Sequence, residues 1–178
     1  MPERKLKPFG RKTIKLGKST LVLRPATLSD ARALNGIINE RGVNEFVLVE
    51  RPVSLSSTRK VISEDKKHLW IVSELGGNVV GSVALRIGMG RQDKVGGFGI
   101  AFSKKVHGTG VASAALKECL GWMRKNGFDN CTAQVNENNP KARKFYKKMG
   151  FREVARIPRQ MRSGKGLVGL CTIQKIFK

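Results

Sequence analysis

No run of about 18 apolar residues occurs in the 178-residue sequence, so no helix of membrane-spanning length is expected. The basic stretch Met1–Lys18 is followed by no apolar segment of the secretory kind, and the expected location is cytoplasmic. Cysteine is scarce. Cys119, Cys131 and Cys171 lie far apart, with no CxxC and no histidine pair nearby, which argues against a disulfide framework and against a zinc site. They read as small buried hydrophobes. His68 and His107 are the only histidines, and neither stands beside a cysteine in sequence, so a Cys–His nucleophile has no support. Aromatic residues are few, two Trp, one Tyr and eight Phe, and form no stacking set for RNA.

Acidic residues are the largest deficit. Thirteen Asp and Glu stand against 35 Lys and Arg, a net charge of +22. Seven Lys or Arg and a single Glu fall within residues 1–18, and a second dense group runs from Lys141 to Arg152. Such a field attracts nucleic acid, acidic protein surfaces or phosphorylated ligands and disfavours cationic ones. A solvated, solubilising surface would have the same composition. The length suits one domain, and 40% hydrophobic content is enough for a core.

Residues 1–18 read as a basic arm, with Thr13–Leu16 as a short edge strand, and residues 19–178 as a single domain. Leu21–Arg24 reads as a strand. Thr27 to Asp30 supplies helix-capping residues for Ala31, Leu34, Ile37 and Ile38, which fall at helical spacing in a helix ending near Gly42. Ser56–Lys66 is a second helix. Leu69–Glu74 and Val79–Leu85 flank the hairpin turn Gly76-Gly77-Asn78, and Val95–Phe102 is the next strand. Gly110 opens an amphipathic helix to about Asn126. Cys131–Val135 is a strand, and Asn139-Pro140 starts a helix with a cap residue and a proline at its first position. Phe151–Ile157 and Leu167–Phe177 form a closing strand pair around a basic loop, Pro158–Gly166. The order predicts a mixed α/β domain.

The stretch with chemical content is Ile100-Ala101-Phe102-Ser103-Lys104-Lys105-Val106-His107-Gly108-Thr109-Gly110-Val111-Ala112-Ser113. A strand runs through a glycine-punctuated loop into a helix N-terminus, where first-turn amides lack acceptors and the helix dipole is positive. Glycines let the backbone approach a ligand closely. The result is an anion pocket for phosphate or pyrophosphate, although a plain strand-to-helix turn would use the same glycines. The spacing matches neither GxGxxG nor the P-loop.

Together with Asn136–Phe151, this stretch resembles the GNAT superfamily of N-acetyltransferases. That family's loop pattern, Gln/Arg-x-x-Gly-x-Gly/Ala, is met by His107, Gly110 and Ala112, with histidine as a departure. Its later pattern, Asn-x-x-Asn/Ser-x-x-Ala-x-x-Leu/Phe-Tyr-x-x-x-Gly-Phe, is met by Asn136, Asn139, Ala142, Phe145, Tyr146, Gly150 and Phe151. The resemblance spans about Leu21 to Ile157. It implies a mostly antiparallel sheet of six to seven strands flanked by about four helices, with splayed central strands. It also implies acetyl-CoA as co-substrate, no metal, and an amine acceptor on a protein or small molecule. Pyrophosphate would lie on the amides of Gly108, Thr109, Gly110, Val111, Ala112 and Ser113. Pantetheine would pair with Ile100, Ala101 and Phe102, and Asn139 would touch it, although Asn before Pro is also a helix cap. Tyr146 would protonate the leaving thiolate, and the Phe102 amide would hold the oxyanion.

The general base is where the sequence departs from the family. The two places that commonly carry a glutamate fall at Gly97 and Gln134, and Glu137 has no legible direction. Glu40, Glu45, Glu50 and Glu64 lie where the family shapes its acceptor site. An α-amine of pKa about 8 loses its proton near neutrality for roughly 1 kcal/mol, a lysine for roughly 4. A site without a carboxylate base therefore favours a protein N-terminus or another low-pKa amine, attacking directly without a covalent enzyme intermediate. The competing expectation is a nucleic-acid- or ribosome-associated binding protein on the same fold, with weak or no catalysis. Monomer and homodimer both remain open.

Overall fold

The computed structural model describes residues 6–49, 51–64, 68–163 and 166–177. Eight strands form one sheet: β1 (Lys12–Leu16), β2 (Ser19–Pro25), β3 (His68–Leu75), β4 (Asn78–Ile87), β5 (Val95–Phe102), β6 (Asn130–Asn136), β7 (Arg152–Ser163) and β8 (Gly166–Ile176). The helices are α1 (Ala31–Ile38), α2 (Leu55–Glu64), α3 (Val111–Lys125) and α4 (Pro140–Lys148). The strands lie in the order β1-β2-β3-β4-β5-β6-β8-β7. Every neighbouring pair is antiparallel except β5–β6, which is parallel. The strand count is eight rather than the expected six to seven, because Lys12–Leu16 adds a full edge strand.

Strand alternation divides the side chains between two layers. Leu21, Leu23, Ile71, Val83 and Leu85 point to one face and form the main core with Val111, Ala115, Leu116, Cys119 and Met123 of α3. Ala84, on the opposite face of β4, is buried outside that cluster. There α1 packs on β4 and β5 through a stripe of Ala31, Leu34 and Ile37.

Two expectations are corrected. The first concerns the N-terminal arm, which is docked from Leu6 onward. Phe9 is buried in the main core, and the carbonyl of Lys7 accepts the Trp122 indole N–H at 3.0 Å. The second concerns the basic loop at Pro158–Gly166. Through Ser163 it is strand instead, paired up to Ser163↔Gly166 with an irregularity between Ile157 and Met161 that lets Pro158 sit at the sheet's edge. Residues 1–5 of the arm, Gly164 and Lys165 of the loop, and the expected end of the second helix at Lys66 lie outside the described residues.

The capping segment before α1 is tied to the sheet by charge. Arg24 donates through two nitrogens to Asp30, at 2.7 and 2.8 Å, and also donates to Glu74 at 2.8 Å. The Thr27 amide completes the Asp30 site at 2.7 Å. Chiefly because of the Arg24 hydrogen bond, the buried Asp30 carboxyl is held below its ordinary value. A depressed folded-state pKa contributes stability above the unfolded value, about 3.9, that is lost as pH falls through the folded value. Asp30→Ala should cost about 2 kcal/mol in urea denaturation at pH 7, by removing two charged hydrogen bonds of Arg24 and the acceptor of the Thr27 amide while Glu74 still holds Arg24. Below pH 4 the stability of the variant should depend less on pH than that of the parent.

Candidate active site

The parallel seam between β5 and β6 is short. Only Val95↔Asn130, Gly96↔Cys131 and Gly97↔Thr132 are paired, and beyond Gly97 the strands part. The amide of Ser103, just past β5, donates to the carbonyl of Val80 at 2.9 Å. By the alternation of an antiparallel ladder, Ala101 and Gly99 also turn their backbone groups toward β4. Phe98, Ile100 and Phe102 therefore turn theirs into the gap, a strand edge open to any extended ligand. The gap widens into a cleft of about 2090 Å³ that passes between the sheet's two halves.

At one end of this edge the chain turns through Lys104–Val106 into the glycine loop. Val106 is buried and anchors the turn, and the Thr109 hydroxyl donates back to its carbonyl at 2.8 Å. Gly108 and Gly110 have φ of 79° and 88°, a left-handed backbone that favours glycine. No side chain caps α3, so its first-turn amides are left for a ligand. The cleft brings together Ile100, Ala101, Phe102, His107, Gly108, Gly110, Ala112, Ser113, Asn139 and Tyr146. It does not include Thr109, whose hydroxyl turns back, or Val111, which is buried in the main core. The Nε2 of His107 lies 3.0 Å from the carbonyl of Phe102, and because a carbonyl only accepts, that nitrogen carries the proton. His107 thus ties the loop to the end of β5.

On the other side of the gap, the Asn139 side chain accepts from the Ala142 amide at 3.0 Å and caps α4, while still lining the cleft. Tyr146, 7% exposed, packs edge-on against Phe98 at 5.6 Å between ring centroids and against Phe151 at 5.9 Å. Burial raises its phenol pKa well above the ordinary value, so the hydroxyl stays protonated and suits the role of a donor.

The two positions expected to carry a glutamate have structural counterparts. Gly97 pairs with Arg86 of β4, and a Cβ on Gly97 would stand 2.7 Å from the Arg86 Nε. The Arg86 cation therefore fills the space at Gly97, one of the two places where the family resemblance leads one to expect a glutamate. Gln134 lines the cleft. Glu137 is committed elsewhere, accepting the Gly169 amide at 2.5 Å. Glu40 accepts the Lys104 amide at 3.0 Å, and Glu64 faces Lys60 at 4.0 Å. Of the four acids expected around the acceptor site, Glu45 lines the cleft and Glu50 lies outside the described residues. Sequence reading missed Arg86 and Trp70. Their signal is alternation: Ser82, Ala84 and Arg86 share one face of β4, and Trp70 pairs with Ala84.

An open strand edge running from an uncapped helix to a protonated tyrosine is the frame of the coenzyme A-dependent N-acetyltransferases. The model of the "Acetyltransferase (GNAT) family" matches residues 41–151, and the chain belongs to that family. Acetyl-CoA is its co-substrate. Solved structures with the same fold include Mycobacterium smegmatis RimJ in complex with CoA-disulfide (TM-score 0.81, 19% identity, 95% of this chain and 88% of that one). Another is a ribosomal-protein-alanine N-acetyltransferase from Brucella melitensis (0.77, 19%, 87% and 99%). A third is Salmonella typhimurium yncA with acetyl-CoA (0.77, 16%, 89% and 94%). No curated protein sequence matches the chain. Among the described residues no cluster of side chains could hold a metal, and no helix is long and apolar enough to cross a membrane.

All three cysteines are buried, and burial raises each thiol, that of Cys131 to about 12. A buried, protonated thiol is a poor nucleophile. The native protein should therefore resist iodoacetamide at pH 7.5 for hours and react at all three sites in urea, as read by intact mass.

Proposed function

We propose that the chain transfers the acetyl group of acetyl-CoA directly to a protein N-terminus or another amine of low pKa, with no covalent enzyme intermediate. The observation that carries this is the open edge of β5, which joins the uncapped N-terminus of α3 to Tyr146. Diphosphate on the amides between Gly108 and Ser113 would be met by partial positive charge. The pantetheine arm would extend along Ile100 and Phe102 as an added strand.

The reaction forms a C–N bond as the C–S bond breaks. The amine proton passes to solvent, and the Tyr146 hydroxyl supplies the proton taken up by the departing sulfur. Phe102 adjoins the loop, whereas Tyr146 packs on Phe98, roughly 13 Å back along the strand at ~3.3 Å per residue. An amide between these ends is better placed for the thioester oxygen, so Ile100 replaces Phe102 as the proposed oxyanion donor. The buried cysteines support direct attack, and the absence of a carboxylate at Gly97 and Gln134 supports an amine that deprotonates readily. The name of the ribosomal-protein-alanine N-acetyltransferase neighbour favours a protein acceptor. Residues 19–178 would form the catalytic unit, with the preceding segment packed on it.

A second reading, a nucleic-acid-associated binding protein, is favoured by β7, where Arg152, Arg159 and Arg162 are exposed along an edge strand. The two readings separate by salt: acetyl-CoA should raise the melting temperature even in moderate salt, whereas contacts to phosphate weaken steeply. Tyr146→Phe should lower kcat roughly 100-fold with little change in the acetyl-CoA KM. A peptide lysine acetylated much faster than any N-terminus at pH 7 would sink the preference for a low-pKa amine.

A further inference from the structure

Arg86 stands on β4 between His68 of β3 and Gly97 of β5. A Cβ on Gly97 would meet its Nε at 2.7 Å, its Nη2 at 2.9 Å and its Cζ at 3.1 Å, so the guanidinium lies over the Gly97 backbone. Among the described residues it has neither a carboxylate nor a hydrogen-bond acceptor as a partner. Its surroundings offer little help. Five other Lys and Arg side chains line the cleft with it, against one carboxylate among the described residues, Glu45. In the next row of the same face, Trp70 lines the cleft with its indole N–H buried and without an acceptor. A buried polar group without a partner calls for an explanation. Here a buried indole N–H and a solvent-exposed guanidinium, both without a protein acceptor among the described residues, lie in one half of one cleft.

We propose that Arg86 binds a carboxylate of the acceptor, which is an α-amine with a carboxylate on its own residue or on the next one. The inference rests on the acetyltransferase reading and names the substrate class of that site. A guanidinium presents a planar fork of donors that matches a carboxylate in two parallel bonds. Arg86 is exposed to solvent in the open cleft, so its fork is accessible to an arriving carboxylate. Distance along the strand limits how far the carboxylate can be from the nitrogen. Gly97 immediately precedes Phe98, whose ring lies 5.6 Å from that of Tyr146. Alternation puts Arg86 on the other face of the sheet, at the point where β5 and β6 part, so a carboxylate on Arg86 would approach the transfer end through that gap. A carboxylate held there is a few bonds from the reacting amine. The same positive charge disfavours the ammonium form of that amine. Proton loss is thereby assisted at the position where other family members use a base.

Two sources supply this chemistry, the main-chain carboxylate of a free amino acid and the acidic side chain of an N-terminal Asp or Glu peptide. Matched pairs separate them: each free amino acid against its carboxamide, and Asp or Glu tetrapeptides against their Asn or Gln twins, all with amidated C-termini. Thiol release from acetyl-CoA is followed for the parent chain, Arg86→Gln and Arg86→Lys. In one arm, the carboxylate member should exceed its neutral twin about 10-fold in kcat/KM, mainly through KM, as expected for a charged hydrogen bond. Arg86→Gln should abolish the difference and Arg86→Lys should keep part of it. Both variants should retain the acetyl-CoA KM and the rise in melting temperature with acetyl-CoA. The proposal is overturned by equal rates within every pair, by a preference that survives Arg86→Gln, or by no turnover of any carboxylate amine while acetyl-CoA still stabilises the chain. Absence of that stabilisation in the parent chain strikes the acetyltransferase reading itself.

Discussion

The parting of β5 from β6 after three residue pairs is the constraint on which the rest of the structure depends. A sheet normally satisfies backbone groups by continuing its ladder, and an interior seam left open exposes donors and acceptors in the middle of the fold. The seam can stay open because each strand is secured on its other side, β5 by seven pairs with β4 and β6 by seven with β8. Side chains at the margins keep the two halves from closing. Tyr146, Phe98 and Phe151 form an aromatic wedge on the α4 side, and His107 binds the far end of β5 to its own loop. The opening is thus part of the packing, and it provides the strand edge along which an extended cofactor arm can pair.

Charge is arranged around this opening in an order that the net value of +22 does not reveal. Several of the acids near the opening are spent on the scaffold. Asp30 and Glu74 hold Arg24, Glu40 holds the Lys104 amide, and Glu137 holds the Gly169 amide. The cleft is left rich in donors and poor in acceptors. Chemistry in such a site runs on acids, dipoles and cations, with Tyr146 kept protonated by burial and the α3 amides free of a side-chain cap.

Much of the architecture was legible from local signals. The α3 and α4 boundaries followed from glycine at one helix entry and Asn139-Pro140 at the other, where dihedral preference and capping chemistry act within a few residues. The hairpin at Gly76-Gly77 and the span of β5 were equally local. Elements that depend on distant partners were harder to read. Residues 158–163 look like a polar basic loop, yet β8 draws them into the sheet, because pairing partners override a polar composition at an edge. The docking of Phe9 under α3 likewise has no local signature.

The sequence by itself determined the fold class, the glycine loop that enters α3, and the tyrosine of α4, because each is written in residues close along the chain. Tertiary structure alone decided which charged side chains line the cleft. Whether Arg86 or a carboxylate occupies the space over Gly97 depends on the register across a seven-residue connection between β4 and β5, which spacing does not encode. Whether Glu137 points into the cleft or at Gly169 depends on a strand 32 residues away. A carboxylate's role is set by the donor it meets, and that donor is chosen only when the chain has folded.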